Sequence, residues 1–190
     1  FAETSRLQKE FLEKGWEIAA PGDDCDLAVV NTCTVTSRAD DDSRKTIRRI
    51  ARKNPSAFIA VTGCYAQLRS EEILKIEGVD AVLGNEEKFR LFDIIDGFDK
   101  KLRPEKYISP FESWEAHSAC SIDNESHTRI VMKIQDGCDY KCTYCAVPHA
   151  RGPSRSVPLS EIKSLIEETK EAGFYEIVLS GINLGDWKES

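Results

Sequence analysis

Residues 57–62 are Ala57-Phe58-Ile59-Ala60-Val61-Thr62, and Gly63-Cys64 follows directly. An apolar run of this length, without polar alternation, is typical of a strand that is buried on both faces of a parallel sheet. A second such run, Asp26-Leu27-Ala28-Val29-Val30-Asn31, lies upstream and is followed closely by Cys33. Because the carboxyl ends of parallel strands meet at one edge of a sheet, where ligands gather, we expect Cys33 and Cys64 to share that edge.

Helices alternate with these strands along the first half of the chain. This alternation indicates an α/β domain with a parallel sheet, which we place at residues 1–98. Residues 99–127 mix prolines, charges and scattered aromatics without periodicity and are predicted to be a linker. The predicted helices cover residues 3–12, 39–53, 70–76 and 86–95, and a third strand covers residues 80–83.

A second α/β segment is predicted over residues 128–190. Strands are predicted at 129–134 and 176–180, with a helix capped by Ser160 between them. This is one βαβ unit, of the kind that begins a (β/α) barrel, and a single unit cannot close a barrel. The chain begins without methionine and ends without a closing helix, so we expect it to be a fragment of a longer protein.

The composition is that of an ordinary soluble protein, with 190 residues of which 41% are hydrophobic and 31% are charged. No apolar run approaches the roughly 20 residues of a membrane span, and the N-terminus lacks the features of a signal peptide. We therefore expect a cytoplasmic protein without a membrane partner. The net charge of −7 argues against strong non-specific binding of nucleic acid by this chain alone.

Three of the seven cysteines crowd into the loop Gly137-Cys138-Asp139-Tyr140-Lys141-Cys142-Thr143-Tyr144-Cys145, with the spacing C-x3-C-x2-C. An odd cysteine count and this crowding favour reduced thiols that bind a metal over disulfides. A structural zinc or an electron-transfer cluster normally takes four protein ligands, so three cysteines leave one position for a small molecule. A zinc site with His149 as the fourth ligand is the alternative interpretation.

The same loop, with Tyr144 before its last cysteine, resembles the signature of the radical-SAM superfamily. Several further segments resemble one branch of that superfamily, the methylthiotransferases, which insert a sulfur atom and then a methyl group at an unreactive C–H bond. The resemblance extends over nearly the whole chain and implies an α/β front domain followed by the start of a radical-SAM partial barrel. The further segments are Asn31–Thr36, Thr62–Gln67, Val82–Lys88, Lys133–Cys138 and Pro148–Gly152.

The resemblance implies two [4Fe-4S] clusters and S-adenosylmethionine as cofactors. Cys138, Cys142 and Cys145 would bind the radical-SAM cluster, and no catalytic residue is expected beyond the cluster ligands. Cys33 and Cys64 would bind the second cluster, with a third ligand upstream of this chain. The alternative for these last two residues is a structural role, since free cysteine packs well in cores.

Five further positions follow from the same resemblance or from their place near the loop. Tyr144, Gly181 and Asn183 are expected to contact the cofactor, although an aromatic in a loop can equally pack in the core and residues 181–183 can simply form a turn that ends a strand. Arg151 and Arg155 are expected to contact RNA or the cofactor, with a solvated loop as the alternative. Cys25 and Cys120 match no motif.

The motif Ile134-Gln135-Asp136-Gly137-Cys138 is most similar to that of the branch that acts on N6-threonylcarbamoyladenosine next to the anticodon of tRNA. That branch implies tRNA as substrate partner, together with an external electron donor and a sulfur source. The same chemistry on isopentenyladenosine in tRNA, or on an aspartate of a ribosomal protein, is an alternative. A non-catalytic module that binds zinc or transfers electrons is another.

Overall fold

The computed structural model describes residues 2–20, 22–95, 97–111, 114, 119–120 and 129–189, and of residues 119–120 only the backbone. The chain forms two compact units. The four-stranded unit comprises Ala19–Trp114 and Lys141–Arg151, and the three-stranded unit comprises Phe1–Ile18, Glu115–Tyr140 and Gly152–Ser190. The domain boundaries proposed from the sequence, at 1–98, 99–127 and 128–190, stay a prediction.

The four-stranded unit contains the predicted parallel sheet. Its strands are β1 (Leu27–Thr32), β2 (Phe58–Gly63), β3 (Ala81–Leu83) and β4 (Glu105–Tyr107), in the order β1-β2-β3-β4. All three pairings are parallel. Every residue of β2 is buried, as its uninterrupted apolar run predicts. The α/β fold class is thereby confirmed.

The helices that follow the strands of this sheet in sequence include α2 (Ser37–Lys53), α3 (Cys64–Ile73) and α4 (Leu91–Ile94). The side chain of Thr36 caps α2 by accepting a hydrogen bond from Ala39 N at 3.1 Å. A 3₁₀ turn precedes α4, so residues 86–95 are less regular than the single helix predicted there. The core between helices and sheet is apolar and includes Ile47, Ile59, Val61, Tyr65, Ile73 and Val82.

The predicted helix at residues 70–76 is misplaced, because α3 begins at Cys64 and ends at Ile73. The chain turns straight from β2 into this helix through Gly63, whose φ is 98°. Gly63 has no side chain with which to cap the helix, so the sequence carries no start signal there. The result is that the thiol of Cys64 lies at the first residue of a helix.

β4 lies inside the segment that was predicted to be a linker. It pairs with β3 along the register Ala81↔Glu105, Val82↔Lys106 and Leu83↔Tyr107. Glu105 and Lys106 are exposed and Tyr107 is half-buried, because β4 is an edge strand. A short polar edge strand lacks the apolar run by which the inner strands were recognised.

The three-stranded unit contains β5 (Ala119–Cys120), β6 (Ile130–Lys133) and β9 (Ile177–Ser180), in the order β5-β6-β9. β6 and β9 are parallel and α6 (Leu159–Glu171) lies between them in sequence, which confirms the predicted βαβ unit. The N-cap of α6 is Pro158, so the prediction that Ser160 caps this helix is wrong. Helix α1 (Ala2–Glu13) packs against β5 and β6.

A small antiparallel pair follows β6. It consists of β7 (Gln135–Asp136) and β8 (Arg155–Ser156). The chain between these two strands carries the cysteine loop and a short helix, α5 (Val147–Arg151), which belongs to the four-stranded unit. Within the described ranges, no helix is both long enough and apolar enough to cross a membrane.

Candidate metal centre

Cys33 and Cys64 lie at the carboxyl edge of the parallel sheet. The β1–β2 register ends with Thr32 opposite Gly63, so the two cysteines directly follow paired residues. Both thiols are free, and Cys33 is exposed while Cys64 is half-buried. The prediction that they share one edge is confirmed.

Gly63 permits the close approach of the two strand ends. A Cβ atom at this position would lie 2.2 Å from Thr32 O, a distance that no side chain tolerates. Thr32 Oγ1 adds a second connection, because it donates to Thr62 O at 2.5 Å and accepts from Ala66 N at 3.3 Å. These contacts fix the ends of β1 and β2 against the first turn of α3.

The end of β3 completes this edge. Thr62 Oγ1 donates to Gly84 O at 3.2 Å, and Asn85 N donates to Gln67 Oε1 at 2.9 Å. The side-chain nitrogen of Asn85 lies 3.9 Å from Cys64 Sγ. Sequence reasoning quoted Asn85 only as part of a motif and gave it no role.

Tyr65, next to Cys64, is fully buried and joins α3 to α2. Its hydroxyl accepts from Arg44 Nη1 at 2.7 Å and donates to Glu72 Oε2 at 2.9 Å. Burial raises the pKa of this phenol, and Arg44 partly opposes that effect. Tyr65 is therefore a neutral structural residue at ordinary pH.

The cysteine loop begins in the three-stranded unit with a close approach of two backbone segments. Cys138 N donates to Gly152 O at 3.1 Å. Gly137 has a φ of 71°, and a Cβ atom there would lie 1.9 Å from Pro153 O. Only glycine therefore fits immediately before Cys138, where the loop starts.

Cys142 and Cys145 belong to the four-stranded unit and form one turn, in which Cys145 N donates to Cys142 O at 3.0 Å. Cys142 is exposed, whereas Cys138 and Cys145 are half-buried, and all three thiols are free. Among the residues that the structure describes, no three His, Cys, Asp or Glu side chains converge as a metal-binding group. The assignment of these cysteines as cluster ligands stays a prediction. Their chemistry fits it, since soft thiolates are the usual ligands of iron–sulfur clusters.

Gln135, a residue that sequence reasoning did not assign, connects the start of the cysteine loop to the end of β9. Its side chain is buried, and its Oε1 accepts from Ile182 N at 2.9 Å and from Asn183 N at 2.8 Å. Its Nε2 donates to Gly137 O at 2.9 Å and to Ser154 Oγ at 3.0 Å. The only signal in the sequence is a polar amide directly after the apolar strand β6.

Gly181 makes room for Gln135. A Cβ atom at Gly181 would lie 3.0 Å from both Cβ and Oε1 of Gln135, and 2.8 Å from Leu184 Cδ2. The side chain of Asn183 donates to Asp186 Oδ2 at 2.7 Å, which closes a local turn. The predicted contacts of Gly181 and Asn183 with a cofactor stay predictions, supported by their position at the carboxyl end of β9.

The remaining predicted positions differ in exposure. Tyr144 is 89% exposed, so it does not pack in the core of the structure. Arg151 is half-buried. The Arg155 side chain is 13% exposed, donates to Pro153 O at 2.9 Å and lies 3.9 Å from Asp136 Oδ2. Their contacts with cofactor or RNA stay predictions.

The two cysteines without a motif also differ. Cys25 is half-buried, and burial together with the charges of Asp26 and Asp24 raises the pKa of its thiol. Its backbone N donates to Asn54 Oδ1 at 3.1 Å. These features suit a structural thiol. The side chain of Cys120 lies outside the described residues.

Two family profiles match the chain. The uncharacterized protein family UPF0004 matches residues 1–84, and the Radical SAM superfamily matches residues 132–188. These ranges contain, respectively, Cys33 with Cys64 and the cysteine loop.

Individual relatives match nearly the whole chain. The threonylcarbamoyladenosine tRNA methylthiotransferase MtaB of Aquifex aeolicus is 36% identical over 97% of this chain, and that of Bacillus subtilis is 37% identical over 98%. A tRNA-2-methylthio-N(6)-dimethylallyladenosine synthase of Methylacidiphilum infernorum is 30% identical over 94% of this chain. The matches cover 45%, 42% and 40% of these relatives, so the chain spans less than half of their length. Over nearly its whole length the chain is therefore similar to tRNA methylthiotransferases, and its residues 132–188 match the Radical SAM superfamily.

Proposed function

We propose that this chain is the front domain and first barrel segment of a radical-SAM enzyme that adds a methylthio group to a modified adenosine in tRNA. The observation that carries the proposal is the pairing of Thr32 with Gly63, which brings Cys33 and Cys64 to one sheet edge in a chain that also contains the C-x3-C-x2-C loop. The names of the relatives, all tRNA-modifying enzymes, support the substrate class.

In this proposal Cys138, Cys142 and Cys145 bind one [4Fe-4S] cluster and leave one iron for S-adenosylmethionine. Cys33 and Cys64 bind a second [4Fe-4S] cluster together with a ligand upstream of Phe1. When bound, these cofactors supply the radical and sulfur chemistry by which a methylthio group replaces hydrogen at an unreactive carbon, which no side-chain acid or base can do.

The chain's own residues position these groups. Gln135 holds residues 182 and 183 against the start of the cysteine loop, which places Gly181 and Asn183 at the carboxyl end of β9, where we propose that they contact the cofactor. Tyr144 is exposed and free to meet the adenine of the cofactor, and Arg151 and Arg155 follow the loop as candidate contacts for RNA or cofactor. Soft thiolates and a loop closed by Gly137 are what this chain contributes to metal binding.

The proposed substrate is N6-threonylcarbamoyladenosine next to the tRNA anticodon. The wording of residues 134–138 and the names of the Aquifex and Bacillus relatives support it. Dimethylallyladenosine in tRNA is the second candidate, because relatives that act on it by name also match. We further propose a cytoplasmic enzyme that draws on an external electron donor and a sulfur source.

The test is anaerobic iron–sulfur reconstitution of the full-length protein, followed by electron paramagnetic resonance with and without S-adenosylmethionine. We expect a [4Fe-4S] signal that changes when the cofactor is added. Cys142→Ala should abolish both this change and cleavage of the cofactor, while Cys25→Ala, a matched control outside the loop, should preserve both. Absence of iron uptake would favour a zinc module instead, and a signal that ignores the cofactor would favour an electron-transfer module.

The substrate is tested separately with two purified tRNAs, one carrying threonylcarbamoyladenosine and one carrying dimethylallyladenosine. Mass spectrometry of the nucleosides would show which one gains the mass of a methylthio group. We expect the threonylcarbamoyl substrate to be modified. Modification of the dimethylallyl substrate alone would reassign the base and leave the reaction class intact.

A further inference from the structure

Asn85 contacts two cysteine-bearing segments of the four-stranded unit. Its side chain is buried, and its Nδ2 donates to Ala150 O at 2.8 Å and lies 3.9 Å from Cys64 Sγ. Ala150 is in α5, which follows Cys145 closely, and α5 packs against α3, which begins at Cys64. One amide group therefore connects the segment of Cys64 with the segment that leaves the cysteine loop.

Neighbouring groups fix the orientation of this amide. Asn85 Oδ1 accepts from Lys88 Nζ at 3.1 Å, and the Lys88 side chain is fully buried. The flipped amide would place its NH₂ group against this ammonium and its oxygen against the carbonyl of Ala150, and both contacts would be repulsive. One N–H of Asn85 is thus directed to Ala150 and the other is available to the sulfur of Cys64.

We propose that Asn85 is a positioning residue that fixes the Cys64 sulfur relative to α5 and sets the reduction potential of the cluster that Cys64 binds. This inference rests on the proposed function, in which Cys64 is a cluster ligand. Hydrogen bonds to cluster sulfurs are one of the ways in which a protein tunes that potential, because an N–H donor stabilises the more electron-rich reduced state. Loss of the donor should therefore make the potential more negative.

The potential is measured in full-length protein in which Cys138, Cys142 and Cys145 are all replaced by alanine. Only the cluster at Cys33 and Cys64 then contributes to the electron paramagnetic resonance signal during a redox titration. In this background we expect Asn85→Ala to shift the midpoint to a more negative value. Asn85→Leu keeps the number and branching of side-chain heavy atoms but has no N–H, so it should give the same shift. It replaces the alanine variant in the titration if that variant does not assemble the cluster.

Thr62→Val is the matched control. Thr62 is as buried as Asn85 and lies at the same sheet edge, but its hydroxyl bonds to Gly84 O. A general loosening of the edge would affect both sites, whereas a specific hydrogen bond to sulfur predicts that only the Asn85 variants shift the potential. A midpoint that is unchanged in Asn85→Ala or Asn85→Leu, with iron retained, would overturn the inference while leaving the proposed function standing.

Absence of iron in the triple-alanine parent would overturn the cluster at Cys64, and this inference with it. A second readout needs no iron. In cluster-free protein with all cysteines present, the amides of His149 and Ala150, which both bond to Ala146 O, should exchange hydrogen faster in Asn85→Ala than in the parent or in Thr62→Val. Equal exchange rates would show that Asn85 does not hold α5 in place.

Discussion

Gly63 illustrates how one residue without a side chain shapes the candidate metal centre. Its φ of 98° is unfavourable for other residues, and a Cβ atom would lie 2.2 Å from Thr32 O. We expect Gly63→Ala to lower the free energy of unfolding by about 3 kcal/mol or more, because backbone strain and steric overlap combine. Chemical denaturation of the purified protein measures this loss.

Gly22→Ala is the control for that measurement. Gly22 lies in the same unit and has the same φ of 98°, but nothing lies within 4 Å of a Cβ atom built on it. Gly22→Ala should therefore lower the free energy of unfolding by only about 1 kcal/mol, the cost of the backbone conformation alone. Equal losses in the two variants would contradict the view that contact with Thr32 requires glycine at Gly63.

Gln135 provides the second prediction at this scale. Replacement by methionine keeps the length of the side chain but removes the acceptor for Ile182 N and Asn183 N. Both amides would be left without their acceptor, so the end of β9 should open more often. We expect faster hydrogen exchange at Ile182 and Asn183 in Gln135→Met, measured by nuclear magnetic resonance.

Ser154→Ala separates the two ends of the Gln135 amide. It removes only the bond from Gln135 Nε2 to Ser154 Oγ and leaves the acceptor atom Oε1 in place. Exchange at Ile182 and Asn183 should then match the parent. Parent-like exchange in Gln135→Met would show that these two amides do not depend on Gln135.

At the scale of whole elements, apolar runs predicted the strands that carry them and missed the strand that has none. β1, β2, β6 and β9 were predicted from such runs, although only β2 is buried throughout and Val178 and Leu179 of β9 are exposed. β4 was missed because an edge strand with Glu105 and Lys106 exposed needs no apolar pattern. The start of α3 was misplaced because Gly63 carries no capping side chain.

The packing of α1 depends on an ion pair that no local pattern could reveal, since its partners are 130 residues apart in sequence. Lys133 Nζ lies 2.6 Å from Glu3 Oε1, and the two side chains are about 10% exposed. We expect Glu3→Ala to cost about 3 kcal/mol, because one partner of a buried pair is lost. Lys133 also lies 2.8 Å from Asp136 Oδ2, which should keep the loss from being larger.

Glu13→Ala tests whether this effect comes from burial. Glu13 pairs with Lys9 on the same helix at 3.8 Å, but both side chains are at least 60% exposed. Such a surface pair contributes at most about 1 kcal/mol. Thermal unfolding should therefore show a large difference between the two variants, and similar midpoints would mean that the Glu3–Lys133 pair contributes little to the packing of α1.

For the whole molecule, the candidate site was only partly predictable from sequence. The shared edge of Cys33 and Cys64 follows from parallel pairing, which the apolar runs imply. The roles of Gln135 and Asn85 do not follow from the sequence. The partners of a buried side-chain amide depend on which backbone groups and thiols the fold places beside it. The cysteines that could bind a metal were therefore recognised from the sequence, whereas the amides that position them were recognised only from tertiary contacts.

Thiol reactivity across the molecule gives the last prediction. Iodoacetamide reacts with thiolates, so in cluster-free reduced protein the exposed Cys33 and Cys142 should be modified fastest. Cys25 should react slowly, because burial and nearby acidic residues raise its pKa and leave little thiolate at neutral pH. Anaerobic reconstitution should then protect Cys33, Cys64, Cys138, Cys142 and Cys145, while the rate at Cys25 stays unchanged.

Mass spectrometry of the labelled peptides distinguishes the two clusters in this experiment. If the second cluster forms, Cys33 and Cys64 become protected together, since each thiolate that binds iron is no longer available to the reagent. Protection of the loop cysteines alone would remove the second cluster from the proposal and keep the first. If reconstitution also slowed the reaction of Cys25, the protection would reflect a general burial of thiols, because Cys25 belongs to neither proposed cluster.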